Sequence, residues 1–109
     1  MTDYIAIAKT SDIPAGQVRY FDLLGFPVAV CHVEGEGFYA IDDVCTHDGG
    51  ALDQGELDGE EIECPRHGAR FSVITGAVLA LPATQPIQTY PLRVENDTIY
   101  VNPVANPTV

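Results

Sequence analysis

An all-β fold of short antiparallel strands is what this sequence predicts, on three observations. β-Branched and aromatic runs of strand length recur along its 109 residues. Glycine, proline, asparagine and aspartate punctuate those runs at short intervals. No window of about a dozen residues keeps a 3.6-residue apolar period without a glycine or proline inside it.

The elements follow in order. Residues 4–8 alternate weakly and read as a first strand. The turn Ile13-Pro14-Ala15-Gly16 leads into a second strand over 18–24, rich in β-branched and aromatic side chains. Residues 28–33 are an apolar run of strand length. Glu34-Gly35-Glu36-Gly37 then reads as a hairpin turn, with 38–41 as the returning strand. Residues 61–63, 70–74, 88–95 and 98–102 complete the set, with turns at Thr75-Gly76 and Asn96-Asp97. The one stretch that could turn helically is 51–54. Residues 102–109 hold two prolines and are expected to fray.

At this length one domain, 1–109, accounts for the chain. Sixteen acids stand against five bases (Lys9, Arg19, Arg66, Arg70 and Arg93), for a formal charge of −11. Phosphate recognition needs a basic surface, so nucleic-acid binding is excluded, and so is docking on an anionic membrane. No apolar stretch reaches the ~20 residues of a membrane span. The opening Met1-Thr2-Asp3-Tyr4 lacks the basic start and apolar core of a signal peptide, so a cytoplasmic location is expected. Three cysteines make an odd count, which suits a disulfide framework poorly.

Two short segments carry the chemistry: Cys45-Thr46-His47-Asp48-Gly49-Gly50 and Cys64-Pro65-Arg66-His67-Gly68. Together they read C-x-H, sixteen residues, then C-x-x-H. Each supplies one thiolate and one imidazole and is followed closely by glycine. Such a pair on a loop can turn both side chains towards one small object. Glycine lets backbone N–H groups approach an anionic centre. Two thiolates and two imidazoles suit Zn²⁺ or an iron–sulfur cluster and poorly suit Mg²⁺ or Ca²⁺.

C-T-H-x-G-G followed by C-P-x-H-G resembles the Rieske [2Fe–2S] signature. The likeness extends to strands before the first loop and to a later proline-bearing loop, Leu81-Pro82-Ala83-Thr84-Gln85-Pro86, so it covers nearly the whole chain. The resemblance implies a Rieske fold: short antiparallel sheets with a small cluster-binding subdomain, about 43–86, whose two loops form one tip. It implies one [2Fe–2S] cluster, with Cys45 and Cys64 on a buried iron and His47 and His67 on an outer one. Exchanging two thiolates for neutral imidazoles removes negative charge and raises the reduction potential. Zinc remains the competitor for the same donor set, as in a zinc-stabilised interaction module; alternation of cysteine and histidine favours the cluster.

Respiratory-complex members of this family add a disulfide between the cluster loops, but here Gly50 and Arg66 stand at those places. Hydroxyls they place near the cluster are matched by Ala69 and Phe71, which donate no such hydrogen bond. A low potential is therefore expected, near the bottom of the Rieske range of roughly −150 to +300 mV. Without a membrane anchor, the chain is similar to Rieske-type ferredoxins. The resemblance implies a one-electron carrier between a flavoprotein NAD(P)H-dependent ferredoxin reductase and a terminal ring-hydroxylating oxygenase in aromatic compound degradation. The small Rieske-like subunit of an assimilatory nitrite reductase is the alternative. The chain is not expected to be an oxygenase or any other enzyme. Of three histidines only His32 is left over, too few for a two-histidine, one-carboxylate iron site, and G-x-G-x-x-G is absent.

Most of the acids lie between Tyr20 and Pro65, where there is no lysine or arginine. They either steer encounter with basic partners or form a solvated face. High net charge and an exposed tip suggest a monomer. Cys31 alternates with Ala29 and Val33 and is expected to be a small core residue, with His32 facing the other way. Arg66 and Arg70 sit beside the second ligand pair, where charge balance against neighbouring acids is the favoured role.

Overall fold

The β-branched and aromatic runs pair into three antiparallel sheets in the computed structural model, which describes residues 3–107. Along the chain the strands are β1 (Ile5–Lys9), β2 (Val18–Leu23), β3 (Phe26–Val33), β4 (Gly37–Asp42), β5 (Glu56–Asp58) and β6 (Glu61–Glu63). Then come β7 (Arg70–Ser72), β8 (Val78–Ala80), β9 (Thr89–Tyr90), β10 (Leu92–Glu95) and β11 (Thr98–Val101). The sheets run β1-β11-β10, β2-β3-β4-β9 and β5-β6-β7-β8.

The four-stranded β2–β3–β4–β9 sheet is the middle layer. Successive side chains of a strand point to opposite faces. Ala29, Cys31 and Val33 of β3, with Ile41 of β4, pack with Ile62 and Phe71 of the β5–β8 sheet. Val28 and Val30 of β3, with Ala40 of β4 and Tyr90 of β9, pack on the other side with Ile13, Ile99 and Val101. Burial on both faces is why β3 is an almost unbroken apolar run rather than an alternating one. Cys31 is fully buried as expected. His32 is partly exposed, stacks on Phe38 with ring centroids 4.0 Å apart, and places Nδ1 2.7 Å from the Ile13 carbonyl oxygen.

Two hairpins close on left-handed pairs: Leu24 and Gly25 between β2 and β3, and Asn96 and Asp97 between β10 and β11. Positive φ at both central residues matches the right-handed strand twist. Between β1 and β2, Thr10–Asp12 forms one short 3-10 turn. The Asp12 carboxylate there accepts the Lys9 N–H at 2.9 Å.

Four expectations need correcting. Residues 51–54 do not turn helically; Gly55 N–H bonds the Leu52 carbonyl at 2.9 Å in a single turn. Residues 88–95 are two strands, because Pro91 has no N–H to continue the ladder. The strand expected over 70–74 ends at Ser72, whose hydroxyl accepts the N–H groups of Ile74 and Thr75 at 3.2 Å each. The tail is tied down rather than frayed as far as Asn106. That residue bonds Thr89 through backbone and side chain, at 2.8 and 2.9 Å; residues 108–109 lie outside the described residues.

Candidate metal centre

The fold brings two loops to one end. The first, 45–50, follows β4. The second, 64–69, is the tip of the β6–β7 hairpin, whose ladder closes at Glu63 and Arg70. The loops are built alike. Cys45 N–H bonds the Gly50 carbonyl at 2.8 Å, and Gly49 N–H bonds the Cys45 carbonyl at 2.7 Å. Cys64 N–H bonds the Ala69 carbonyl at 2.7 Å, and Gly68 N–H bonds the Cys64 carbonyl at 3.1 Å. Gly49 and Gly68 hold φ of 76° and 79°, a backbone that a side-chain-bearing residue enters only with strain. A third loop, 81–86, is tied to the first. Thr46 Oγ1 donates to the Gln85 carbonyl at 2.6 Å, and Ala83 is buried in the same core cluster as both loop cysteines.

Four side chains predicted as ligands gather at this end in two layers. Cys45 and Cys64 are buried, at 0% and 1% exposure, while both histidines are exposed. The imidazoles meet edge to face, with centroids 5.1 Å apart and planes at 88°. His67 turns Nδ1 inward, 3.4 Å from an Asp48 carboxylate oxygen. Burial pushes the Cys45 thiol up, and the neighbouring Cys64 thiol adds to this. The N–H groups of His47 and Asp48 oppose it by bonding the sulfur. Those amides are the anion-directed backbone that the glycines permit.

Asp48 is a site residue that the sequence did not single out. One of its carboxylate oxygens lies within 4.8 Å of both cysteine sulfurs. Arg66 holds that carboxyl well below the usual carboxylate range, and the Gly50 N–H adds to the effect. Arg66 and Arg70 both balance acids, as expected. Arg70 pairs with Glu63, Glu61 and Asp58 at 3.0, 3.2 and 3.4 Å along the β5–β7 surface.

The layering of the donors, thiols buried and imidazoles exposed, suits a binuclear centre. A tetrahedral zinc needs all four donor atoms roughly 3.3–3.8 Å from one another. Among the described residues, the three donors that converge within 4.8 Å are the two thiols and Asp48, with the imidazoles outside that set. An inner sulfur pair and an outer nitrogen pair fit a binuclear centre instead. Comparison with known proteins agrees: the model of the Rieske [2Fe-2S] domain matches residues 3–91. The chain belongs to that family. Its cofactor is a Rieske-type [2Fe–2S] cluster.

Among relatives, the ferredoxin component of the naphthalene 1,2-dioxygenase/salicylate 5-hydroxylase systems of a Ralstonia species is 45% identical over 94 residues. That alignment covers 86% of this chain and 89% of the relative. The ferredoxin of carbazole 1,9a-dioxygenase from Nocardioides aromaticivorans IC177 is 36% identical. It superposes with a TM-score of 0.88 over 94% of this Rieske chain and 99% of its own. A chain in the complex of reduced oxygenase and oxidized ferredoxin of carbazole 1,9a-dioxygenase gives a TM-score of 0.90 at 36% identity, covering 96% and 97%. Among the described residues no helix is long and apolar enough to cross a membrane.

Proposed function

We propose that this Rieske protein is a one-electron carrier of an aromatic-ring-hydroxylating dioxygenase system. It takes electrons from a flavoprotein NAD(P)H-dependent ferredoxin reductase and delivers them to a terminal oxygenase. Cys45 and Cys64 hold the inner iron, and His47 and His67 the outer one. The observation that carries this reading is the layered donor set, with thiols inside and two imidazoles outside. When bound, the cluster supplies reversible uptake of a single electron. The thiols and their amides keep its inner half from water, while the exposed imidazoles leave the shortest path to a docked partner. Residues 1–109 act as one domain, with the cluster part at about 43–86, and the protein is a cytoplasmic monomer. Relatives that are ferredoxin components of dioxygenase systems, one of them alongside an oxygenase, support the carrier role.

Ala69 and Phe71 are both buried and offer no hydroxyl to the reduced, more negative centre. A redox titration is expected to place the potential near the bottom of the roughly −150 to +300 mV Rieske range; a value above about +100 mV contradicts this account.

The carrier role is tested by reconstitution. Reductase and NAD(P)H should reduce the cluster, and substrate-loaded oxygenase should reoxidise it over many turnovers. With charge −11, encounter rates should change steeply with ionic strength. Rates flat in salt would leave the acids a solubility role, and no turnover with any dioxygenase pair would overturn the proposal.

A further inference from the structure

Each cluster loop closes on its own backbone. Among the described residues no backbone hydrogen bond joins 45–50 to 64–69. The polar link between them is one carboxylate. Asp48 accepts two bonds from Arg66, from Nε at 2.6 Å and from the terminal nitrogen at 3.1 Å. The same carboxylate lies 3.4 Å from His67 Nδ1 and 4.0 Å from Cys64 Sγ, both on the second loop. Its own loop braces it, because Gly50 N–H donates to it at 2.9 Å. The guanidinium lies against Gly50, where a Cβ would come within 2.6 Å of Nε and so push the arginine aside. Gly50 lacks the positive φ that would otherwise require a glycine. Its missing side chain is the slot that Arg66 fills.

We propose that Asp48 and Arg66, seated on Gly50, form a clasp across the mouth of the metal centre that fixes the spacing of the two ligand loops. The clasp rests on the reading that these loops hold the cluster. Asp48 and Arg66 act through the ligands and are positioning residues. A planar, two-bond pair fixes orientation as well as distance, which a single ammonium contact does not. As a non-covalent link it is indifferent to thiol reductants.

The test uses cluster-loaded protein and follows bleaching of the visible cluster absorption in excess iron chelator. Asp48→Asn and Arg66→Leu are each expected to lose the cluster about tenfold faster or more, the scale of losing a partner that orients metal ligands. The double variant should bleach no faster than either single one, because the two groups work as a unit. Arg66→Lys, which keeps charge but not the paired bonds, should fall between parent and Arg66→Leu. Gly50→Ala leaves both charges in place and should also speed bleaching. Reduction potentials give an independent readout. Asp48→Asn strips a negative charge beside the centre and should raise the potential, and Arg66→Leu should lower it, whereas simple loosening would not give opposite signs. Parent-like bleaching in the single variants, or additive effects in the double, would overturn the clasp. A parent protein that binds no iron would instead overturn the metal-centre reading beneath it.

Discussion

Protein carrying Cys64→Ser is expected to purify without the [2Fe–2S] cluster, colourless and with iron reduced well beyond tenfold. Losing a group that merely orients a ligand already costs about 10–100-fold in affinity, and here a proposed ligand itself is lost. Cys45→Ser should behave the same way. The informative contrast is Cys31→Ala. That thiol is also fully buried and sits in the same core cluster as the other two. Burial, with Asp43 nearby, pushes it up to about 12, so it stays a neutral thiol at any physiological pH. Cys31→Ala should keep full iron and an unchanged visible spectrum. Iron and sulfide analysis of the three proteins checks all of this. Cluster loss on removal of Cys31, or retention on removal of Cys64, would contradict the assignment.

Phe71→Ala should be the most damaging substitution away from the ligands. Phe71 is fully buried in β7, opposite Ile62 of β6, in the cluster that contains Cys45 and Cys64. Emptying such a site costs about 3–5 kcal/mol, a large share of the ~5–15 kcal/mol that holds a domain together. At roughly 4–8 °C per kcal/mol for a domain near this size, the melting temperature should fall by about 12–40 °C. The cavity opens in the core that also holds the two thiols, so the [2Fe–2S] cluster should bleach faster as well. Phe26 is the control: at 52% exposure, Phe26→Ala should change stability by no more than about 0.5 kcal/mol. Thermal melts of the loaded proteins check both, and a Phe71→Ala melt within a few degrees of the parent would contradict the core described here.

What could be read from sequence tracks how local each signal is. C-x-H and C-x-x-H place a thiol and an imidazole on one loop, so both candidate ligand pairs are legible without any knowledge of the fold. The strands of the middle sheet were visible for a similar reason, since Val28 to Val33 is apolar over a full strand length. β5 and β8 were not. Glu56-Leu57-Asp58 and Val78-Leu79-Ala80 are three residues each, too short to show a period, and exist only through pairing with β6 and β7. The split at Pro91 could have been read, because a proline inside a strand removes a ladder donor.

Asp48 is the instructive omission. Its partner Arg66 is 18 positions away, and charge alternation along the chain says nothing about such a pair. The only available signal was symmetry: an acid directly after the first histidine and a base directly before the second. That becomes meaningful once the two loops are known to face each other. The acidic span between the loops was legible as charge, but Arg70 gathers three of its members into one surface network, which composition could not foretell.

The proposed centre is one iron pair of unequal coordination, sulfur inside and nitrogen outside. EPR of the dithionite-reduced protein, with iron and acid-labile sulfide measured on the same sample, tests it most directly. The expected result is two irons and two sulfides per chain, and a signal whose average g is lower than that of an all-cysteine cluster, as membership of the Rieske family implies. Stoichiometric zinc without sulfide, or the g average of an all-cysteine centre, would contradict it.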